Sequence, residues 1–272
     1  MIPRNFIIEW RQHVPWVSDA QVEQDLIISR ALVELFSSEL ISKALAFRGG
    51  TAIYKLYSNP APRYSEDIDL VQTVSAPIGT VMDEIRSILN PWLGEPRWKQ
   101  GQGRATATFR FQSEGPPSIP LKLKIEINTR EHFSVKGSIS KKFSVSSRWF
   151  EGQAAISTYH LEELMGTKLR ALFQRKKGRD LFDFWYILKH NQLNILETVD
   201  VFHHYLDKQG VKVSRAQFEE NLIEKVRSPL FLDDIRPLLS PEIETQWNLD
   251  EGLSLVKDRI IPHLVGEAWK GA

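Results

Sequence analysis

Residues 48–71 place a glycine-rich turn shortly before a pair of aspartates, and this arrangement constrains the chain more than any other stretch of its sequence. The turn is Gly49-Gly50-Thr51, and the pair is Asp67 and Asp69. Glycine lets a backbone come close to a phosphate, and paired carboxylates can hold a divalent metal. Each half also fits a simpler structure: a tight turn, or the solvated face of a half-buried strand.

The aspartates lie in residues 65–71, where polar and apolar residues alternate as they do in a β-strand. Because side chains alternate between the two faces of a strand, Asp67 and Asp69 share one face and Ile68 occupies the other. Two carboxylates about 7 Å apart along a strand repel each other unless water solvates them or a cation bridges them. Magnesium accepts one or two carboxylates and takes its other ligands from water and phosphates. The pair can therefore hold Mg²⁺, or Mn²⁺, or it can simply be the solvated outer face of a half-buried strand.

The glycines lie between a short apolar run, residues 45–48, and a segment with helical spacing, residues 52–57. A strand, a Gly-Gly turn and the start of a helix together expose backbone N–H groups to an anion. Thr51 would cap the helix or donate to a phosphate. Residues 59–62, Asn-Pro-Ala-Pro, end the helix and return the chain to the aspartates. The expected nucleotide-binding residues here are Gly49, Gly50, Thr51 and Ser65.

A third carboxylate, Glu126, lies in residues 121–128, which alternate between apolar and polar side chains. The apolar positions face inward, so Glu126 shares the outer face with Lys122 and Lys124. If this strand pairs with the aspartate strand, Glu126 can bind a second metal or take the proton from an attacking hydroxyl. The same pattern also fits an ordinary amphipathic strand.

A second block of charged residues lies within residues 161–188, which have helical spacing. Five of the ten residues from 170 to 179 are basic. Among them, Arg175, Lys176 and Lys177 are predicted to bind RNA through its phosphates, although a basic cluster at a helix joint can also be merely solvated. Asp180 follows at the start of a helix, where the helix dipole favours a carboxylate.

Both blocks resemble motifs of one family. The segments Phe-Arg-Gly-Gly-Thr-Ala and Arg-Tyr-Ser-Glu-Asp-Ile-Asp-Leu, then Lys-Leu-x-Ala-Leu, a basic spacer and Arg-Asp-x-x-Asp, are similar to those of AbiEii/MenT-type nucleotidyltransferase toxins. These toxins belong to bacterial toxin–antitoxin and phage-defence systems and to the polymerase-beta-like nucleotidyltransferase superfamily. The resemblance covers roughly residues 45–190 and implies a nucleotide over a small mixed sheet, with the metal on Asp67 and Asp69. It also implies that Lys168 contacts nucleotide phosphate and that Asp180 is a catalytic acid; superfamily members often carry a third acid on a neighbouring strand, as Glu126 would be.

The composition is that of an ordinary globular protein, with 42% hydrophobic and 25% charged residues in a chain of 272. The absence of cysteine excludes disulfides, thiol catalysis and cysteine-bound zinc, and it is compatible with the cytoplasm, where we expect the protein. No apolar run reaches the roughly 18 residues of a membrane span, and the start lacks a signal-peptide core, so no membrane association is expected. A net charge of only +1 means that any nucleic-acid site must be a local patch.

The order of elements predicts an α+β fold: a small mixed sheet flanked by helices, followed by a helical C-terminal part. Helices are expected at residues 20–36 and 81–89, a Gly- and Pro-rich bend at 90–103, and antiparallel strands at 105–111 and 121–128. From residue 159 onward the pattern is helical. A domain boundary is therefore expected near residue 150, between a nucleotidyltransferase-like domain, residues 1–150, and a helical domain, residues 151–272.

Three functions remain open from the sequence. The first is an enzyme that moves a nucleotide from an NTP onto an RNA hydroxyl, at the 3′ end of a tRNA, with a cognate antitoxin as its neutralising partner. The second is the same chemistry on a small molecule or a protein side chain. The third is an inactive nucleotidyltransferase fold that acts as a binding module. The aspartate pair and the Gly-Gly-Thr turn argue against the third, and the basic cluster favours RNA over a small molecule.

Overall fold

A computed structural model describes residues 2–115 and 117–271 of the chain. Contacts between Cα atoms divide it into two compact units, Met1–Tyr159 and His160–Ala272. The first unit holds one mixed β-sheet with helices, and the described elements of the second unit are all helical. The predicted α+β class is therefore confirmed.

Within the described residues, seven strands form the sheet in the order β3-β4-β5-β2-β1-β7-β6. Their bounds are β1 Leu45–Arg48, β2 Asp67–Gln72, β3 Arg97–Gly101, β4 Arg104–Gln112, β5 Pro120–Asn128, β6 Ser138–Ser146 and β7 Glu151–Tyr159. The strand β2 is central, with β1 antiparallel on one side and β5 parallel on the other. The strands predicted at residues 105–111 and 121–128 are β4 and β5, and their antiparallel pairing is confirmed.

The helices of the first unit are α1 Arg4–Trp10, α2 Asp19–Ser37, α3 Glu39–Ala44, α4 Gly49–Tyr57 and α5 Gly79–Leu93. The apolar positions of β2 and β5 lie on the buried side of the sheet: Ile68, Ile125 and Ile127 are fully buried. The long helix α2 contacts β7, β6 and β5, and it contributes a row of buried side chains that includes Leu26 and Leu32. One face of the sheet therefore belongs to the core, which leaves the other for polar residues.

The prediction of a bend at residues 90–103 is wrong. Helix α5 continues through Pro91 to Leu93, because a proline in the last turn disrupts little of the helix. Strand β3 then pairs with β4 through a two-residue turn, in which Gly103 has a φ of +77°. The glycines therefore mark a β-hairpin.

The strands β6 and β7 had no prediction, and β7 pairs with β1 and β6, so it lies in the first unit although it follows residue 150.

The second unit consists of α6 Leu161–Gln174, α7 Gly178–His190, α8 Ile195–Asp207, α9 Arg215–Val226, α10 Pro229–Leu232, α11 Pro241–Gln246 and α12 Leu249–Arg259. The buried Lys225 of α9 donates hydrogen bonds to the carbonyl oxygens of Leu172 and Phe173, near the end of α6. These carbonyls have no partner within their own helix, so Lys225 fixes the end of the helix that bears Lys168.

Among the helices of residues 2–115 and 117–271, none has both the length and the apolar character needed to cross a bilayer.

Candidate active site

The central strand β2 presents two carboxylates on the polar face of the sheet. Asp67 and Asp69 alternate with Ile68, which is fully buried, and Leu70, which is 1% exposed. The parallel neighbour β5 places Glu126 directly opposite Asp69. Three acidic side chains therefore lie close together on two neighbouring strands, because β2 pairs with β5.

A lysine that the sequence did not single out as a site residue lies among these acids. The Nζ atom of Lys124 is 2.9 Å from Oε2 of Glu126 and 3.6 Å from Oδ2 of Asp67. Arg104 also approaches Glu126, with Nη1 3.4 Å from Oε1. The alternation of residues 121–128 already put Lys124 on the outer face, and that signal could have identified it. Lys124 supplies a positive charge to the carboxylates from within the fold.

This positive charge does not compensate all three acids equally. Burial raises the pKa of Asp69, and the charge of Asp67 raises it further. Burial also raises the pKa of Asp67, although Lys124 opposes the shift, and Oδ1 of Asp67 is buried without a hydrogen-bond partner in the described residues. For Glu126, burial acts in the raising direction, but the hydrogen bond and charge of Lys124 and the charge of Arg104 lower the pKa overall. For Asp67 and Asp69, unlike Glu126, the nearby positive charges do not offset the effect of burial.

The glycine turn lies directly against this pair. Helix α4 begins at Gly49, at the end of β1, and Gly49 has a φ of +81°. A Cβ atom on Gly49 would lie 2.3 Å from Oδ2 of Asp69, and one on Gly50 would lie 2.5 Å from Nη2 of Arg63. Gly49 thus needs both a left-handed backbone and an absent side chain, because the carboxylate occupies that space. The turn holds Asp69 at the N-terminus of α4, where the helix dipole favours an anion.

The hydroxyls of Thr51 and Ser65 are tied to the same strand. The Oγ1 atom of Thr51 donates to the carbonyl oxygen of Asp67 at 2.6 Å and lies 2.7 Å from Oγ of Ser65. A hydroxyl has a single proton, so Thr51 accepts from Ser65 once it donates to Asp67. Thr51 is 2% exposed and anchors the start of β2. Contact of Thr51 or Ser65 with a nucleotide stays a prediction.

In the second unit, Lys168 lies in a buried ionic cluster. Its Nζ atom is 2.8 Å from Oδ2 of Asp183 and 3.2 Å from Oδ1 of Asp180, and both aspartates are fully buried. Arg175 adds two hydrogen bonds of 2.7 Å to the carboxylate of Asp180. Asp183 was not predicted as a site residue, yet its position three residues after Asp180 puts both on one face of α7. Lys168 and Asp180 are therefore partners of each other in this cluster.

The predicted RNA-binding cluster is largely engaged in ion pairs within the second unit. Arg175 binds Asp180, and Nζ of Lys177 lies 3.1 Å from Oδ1 of Asp234, which Arg179 also binds. Burial opposes the shift, but the hydrogen bonds from Arg179 and Lys177 lower the pKa of Asp234 to about 2. Lys176 is exposed. RNA binding by Arg175, Lys176 and Lys177 stays a prediction, and two of the three would have to leave a carboxylate.

The donor atoms at Asp67 and Asp69 fit a divalent cation that is held by few protein ligands. No set of three or more His, Cys, Asp or Glu residues forms a metal-ligating group in the described part of the chain. Two carboxylates nevertheless suffice for magnesium, because it keeps several waters and takes phosphate oxygens as ligands. The unpartnered oxygen of Asp67 and the shortage of positive charge at Asp69 are what such a cation would relieve.

Comparisons with known proteins concern the family and the fold. A protein-family model described as nucleotidyl transferase AbiEii toxin, type IV toxin–antitoxin system, matches residues 30–254. The structure is similar to MenT4, a nucleotidyltransferase toxin of Mycobacterium tuberculosis, with a TM-score of 0.63, 15% identity and coverage of 94% of each chain. A protein from H. pylori assigned as a nucleotidyltransferase gives a TM-score of 0.54 and 19% identity, over 88% of this chain and 92% of that one. A search of curated proteins finds no match.

The contact between Gly49 and Asp69 predicts a specific loss of stability. We expect Gly49→Ala to reduce the free energy of unfolding by about 1–3 kcal/mol more than Gly94→Ala does. Gly94 is the matched control, since its φ is +78° and no atom lies within 4 Å of the Cβ position. Urea unfolding measures both variants. Combining Gly49→Ala with Asp69→Ala should recover part of the loss, and strictly additive losses would contradict the contact.

The raised pKa of Asp69 predicts that removing its charge increases the unfolding free energy by an amount that depends on pH. The unfolded chain releases this proton first, above a pH of about 4, so the charged carboxylate costs stability as the pH rises towards the folded-state pKa. We expect Asp69→Asn to exceed the wild type in unfolding free energy near pH 7 and to lose that advantage as the pH falls to 4. The control is Asp83→Asn, because the side chain of Asp83 is 73% exposed. A gain that grows towards low pH would contradict the prediction.

The buried cluster predicts that Lys168 also has a structural role. Lys168→Ala leaves two buried aspartates without this partner, so we expect it to lower the unfolding free energy by about 3–5 kcal/mol. Lys176→Ala, in the exposed cluster nearby in sequence, should change it by less than about 0.5 kcal/mol. Thermal and urea unfolding of both variants give the comparison. Equal stability of the two variants would mean that the cluster contributes little to the fold.

Proposed function

The chain belongs to the AbiEii nucleotidyltransferase toxin family, and from this premise we propose that it transfers a nucleotide from an NTP to an RNA hydroxyl, with the 3′ end of a tRNA as the acceptor. The observation that carries the proposal is the pair of under-compensated carboxylates, Asp67 and Asp69, on the central strand beside the Gly49-Gly50 turn. A phosphate-binding turn next to a metal-binding pair is what nucleotidyl transfer requires.

Asp67 and Asp69 would hold Mg²⁺ or Mn²⁺ together with the phosphates of the NTP. When bound, the metal would neutralise negative charge on the reacting phosphate and orient it. Gly49 and Gly50 would present backbone N–H groups to the phosphates, with Thr51 and Ser65 as the neighbouring hydroxyls. Lys168 would add a positive charge to the phosphates, since a lysine acts there as a point charge.

In the proposed step, the oxygen of the RNA hydroxyl attacks the α-phosphorus of the NTP. A new P–O bond forms, the bond between the α-phosphorus and its bridging oxygen breaks, and pyrophosphate leaves with that electron pair. The proton of the hydroxyl passes to a carboxylate, for which Glu126 beside Asp69 is the proposed acceptor and Asp180 a further acid. Glu126 would have to release Lys124 first, because their hydrogen bond weakens it as a base.

The family also points to a partner and a setting. The description of the family as a type IV toxin–antitoxin system supports a cognate antitoxin protein as the neutralising partner. We propose that the protein acts in the cytoplasm, where NTPs and tRNA are present, and that it contributes to phage defence. The acceptor could instead be a small molecule or a protein side chain, and the following experiment distinguishes these acceptors from RNA.

The test incubates the protein with Mg²⁺, each labelled NTP and tRNA, and it follows incorporation into the RNA. We expect label at the tRNA 3′ end with the wild type and at least about a 1,000-fold slower rate with Asp67→Ala or Asp69→Ala. Glu66→Ala removes the adjacent exposed carboxylate and is the matched control. Label in a small molecule or in the protein itself would replace RNA as the acceptor, and full transfer by either aspartate variant would end the proposed role of the pair.

A second readout of the same variants does not depend on activity. Because a ligand of the folded state raises its stability, Mg²⁺ with an NTP should raise the unfolding temperature of the wild type and of Glu66→Ala. The same addition should have little effect on Asp67→Ala. An equal rise in all three proteins would place the metal elsewhere.

A further inference from the structure

The polar face of the sheet continues away from the aspartate pair as a strip of basic residues. We propose that this strip, here called the basic face, binds the phosphates of the acceptor RNA and leads the strand to Asp67 and Asp69. It rests on the proposed function, because RNA is the acceptor there. The basic face consists of Arg97, Lys99, Arg104, Arg110, Lys122 and Lys124.

The strand register shows that these side chains share one face. In parallel and antiparallel pairs, directly opposed residues point to the same side of a sheet. Asp67 is opposite Lys124 on β5, which is opposite Thr108 on β4, which is opposite Arg97 on β3. The remaining members follow at alternate positions of the same strands. The basic face therefore lies on β3, β4 and β5, and from Arg97 to Asp67 the polar side of the sheet spans four neighbouring strands, about 14 Å at the usual strand spacing.

The sign of the charges on this face is uniform outside the proposed catalytic acids. At the alternate positions of β3, β4 and β5 that share the face, Glu126 is the one acidic residue within the described part of the chain. Apart from Pro120, the other side chains there are basic, or are hydroxyls and amides such as Thr106 and Gln112. The whole chain has a net charge of only +1, so a patch of this kind reflects how the fold sorts the charges.

Four members of the basic face are exposed and form no ion pair with the described residues. Within residues 2–115 and 117–271, no carboxylate pairs with Arg97, Lys99, Arg110 or Lys122. Arg110 and Lys122 are also directly opposite each other on adjacent antiparallel strands. Like charges in that arrangement destabilise a sheet, so a bound anion would relieve a repulsion that the fold itself leaves in place. Arg175 and Lys177, by contrast, are already paired with Asp180 and Asp234.

A cleft of about 570 Å³ lies at the Arg110–Lys122 end of this face. Tyr64 and Phe111 line it, together with both basic residues. Its volume is within the range of small-molecule sites. Tyr64 is buried, so the part-exposed Phe111 near the end of β4 is the ring that can stack on a base while the cations hold the neighbouring phosphates. The cleft also reaches Glu66, the residue before Asp67, which puts it next to the aspartate pair.

The experiment measures RNA affinity as a function of salt. The test variant carries Arg97→Gln, Lys99→Gln, Arg110→Gln and Lys122→Gln, none of which is a proposed catalytic residue. The control variant carries Lys212→Gln, Arg227→Gln, Arg236→Gln and Lys257→Gln, four exposed residues of the second unit, so the change in net charge is the same. Fluorescence anisotropy with a labelled single-stranded RNA, in the absence of NTP, gives the dissociation constant at each salt concentration.

Each phosphate contact with a single strand contributes about 0.7 to the slope of log K against log salt. We expect the slope of the test variant to fall by about 2–3 units and its affinity at 0.1 M salt to fall at least about tenfold, while the control variant matches the wild type. Both variants should retain binding of a fluorescent NTP, and neither should unfold at a lower free energy than the wild type; removing the Arg110–Lys122 repulsion should, if anything, stabilise the test variant. An unchanged slope in the test variant, or an equal fall in the control, would overturn the proposal.

Two further arms keep this result distinct from other outcomes. Poly-glutamate serves as a second titrant, and loss of its binding with RNA binding intact would assign the face to an acidic protein instead. Transfer of label to tRNA is measured in parallel with the wild type. Transfer with an unchanged slope would reject the basic face alone, and a reduced slope without any transfer would reject the proposed reaction while the RNA surface stands.

Discussion

The first unit is organised around two carboxylates whose neighbours supply too little positive charge to offset their burial. Asp67 and Asp69 lie on the central strand, between β1 and β5, and burial raises the pKa of both. The carboxylate of Asp69 occupies the space above Gly49, so the turn and the strand depend on each other. A cation at this position would relieve the repulsion, and this links the architecture to the proposed nucleotidyl transfer.

Two buried aspartates of the second unit differ from the pair on β2, because basic side chains contact them directly. Asp180 and Asp183 are fully buried, but Lys168 and Arg175 supply the charge that the aspartates of β2 lack. If Lys168 contacts a nucleotide phosphate, it exchanges one anionic partner for another, and this explains how one lysine can serve the fold and a substrate.

The distribution of basic residues separates what is near in sequence from what is near in space. Arg175, Lys176 and Lys177 are adjacent in the chain, yet Arg175 is neutralised by the nearby Asp180 and Lys177 by Asp234, which is distant in the sequence. Arg97 and Lys122 are distant in the chain and lie on strands of one open face. A prediction from the run of basic residues therefore overestimates the unpaired positive charge at the helix joint. A prediction from the alternating strand pattern underestimates the unpaired positive charge on the sheet.

The sequence by itself determined the elements whose pattern is local. The alternation of β2 and β5, the strand and helix around Gly49 and the family motifs could all be read directly, because the period of side chains along a strand or helix depends only on the chain. Strand β3 has a single apolar residue, Trp98, so it carries no such period and only its pairing with β4 defines it. Tertiary structure alone decided that Glu126 lies opposite Asp69, that Lys124 lies among the acids and that Asp183 binds Lys168. Each of these facts depends on which strands or helices meet, and a carboxylate's charge state depends on the neighbours that this meeting supplies.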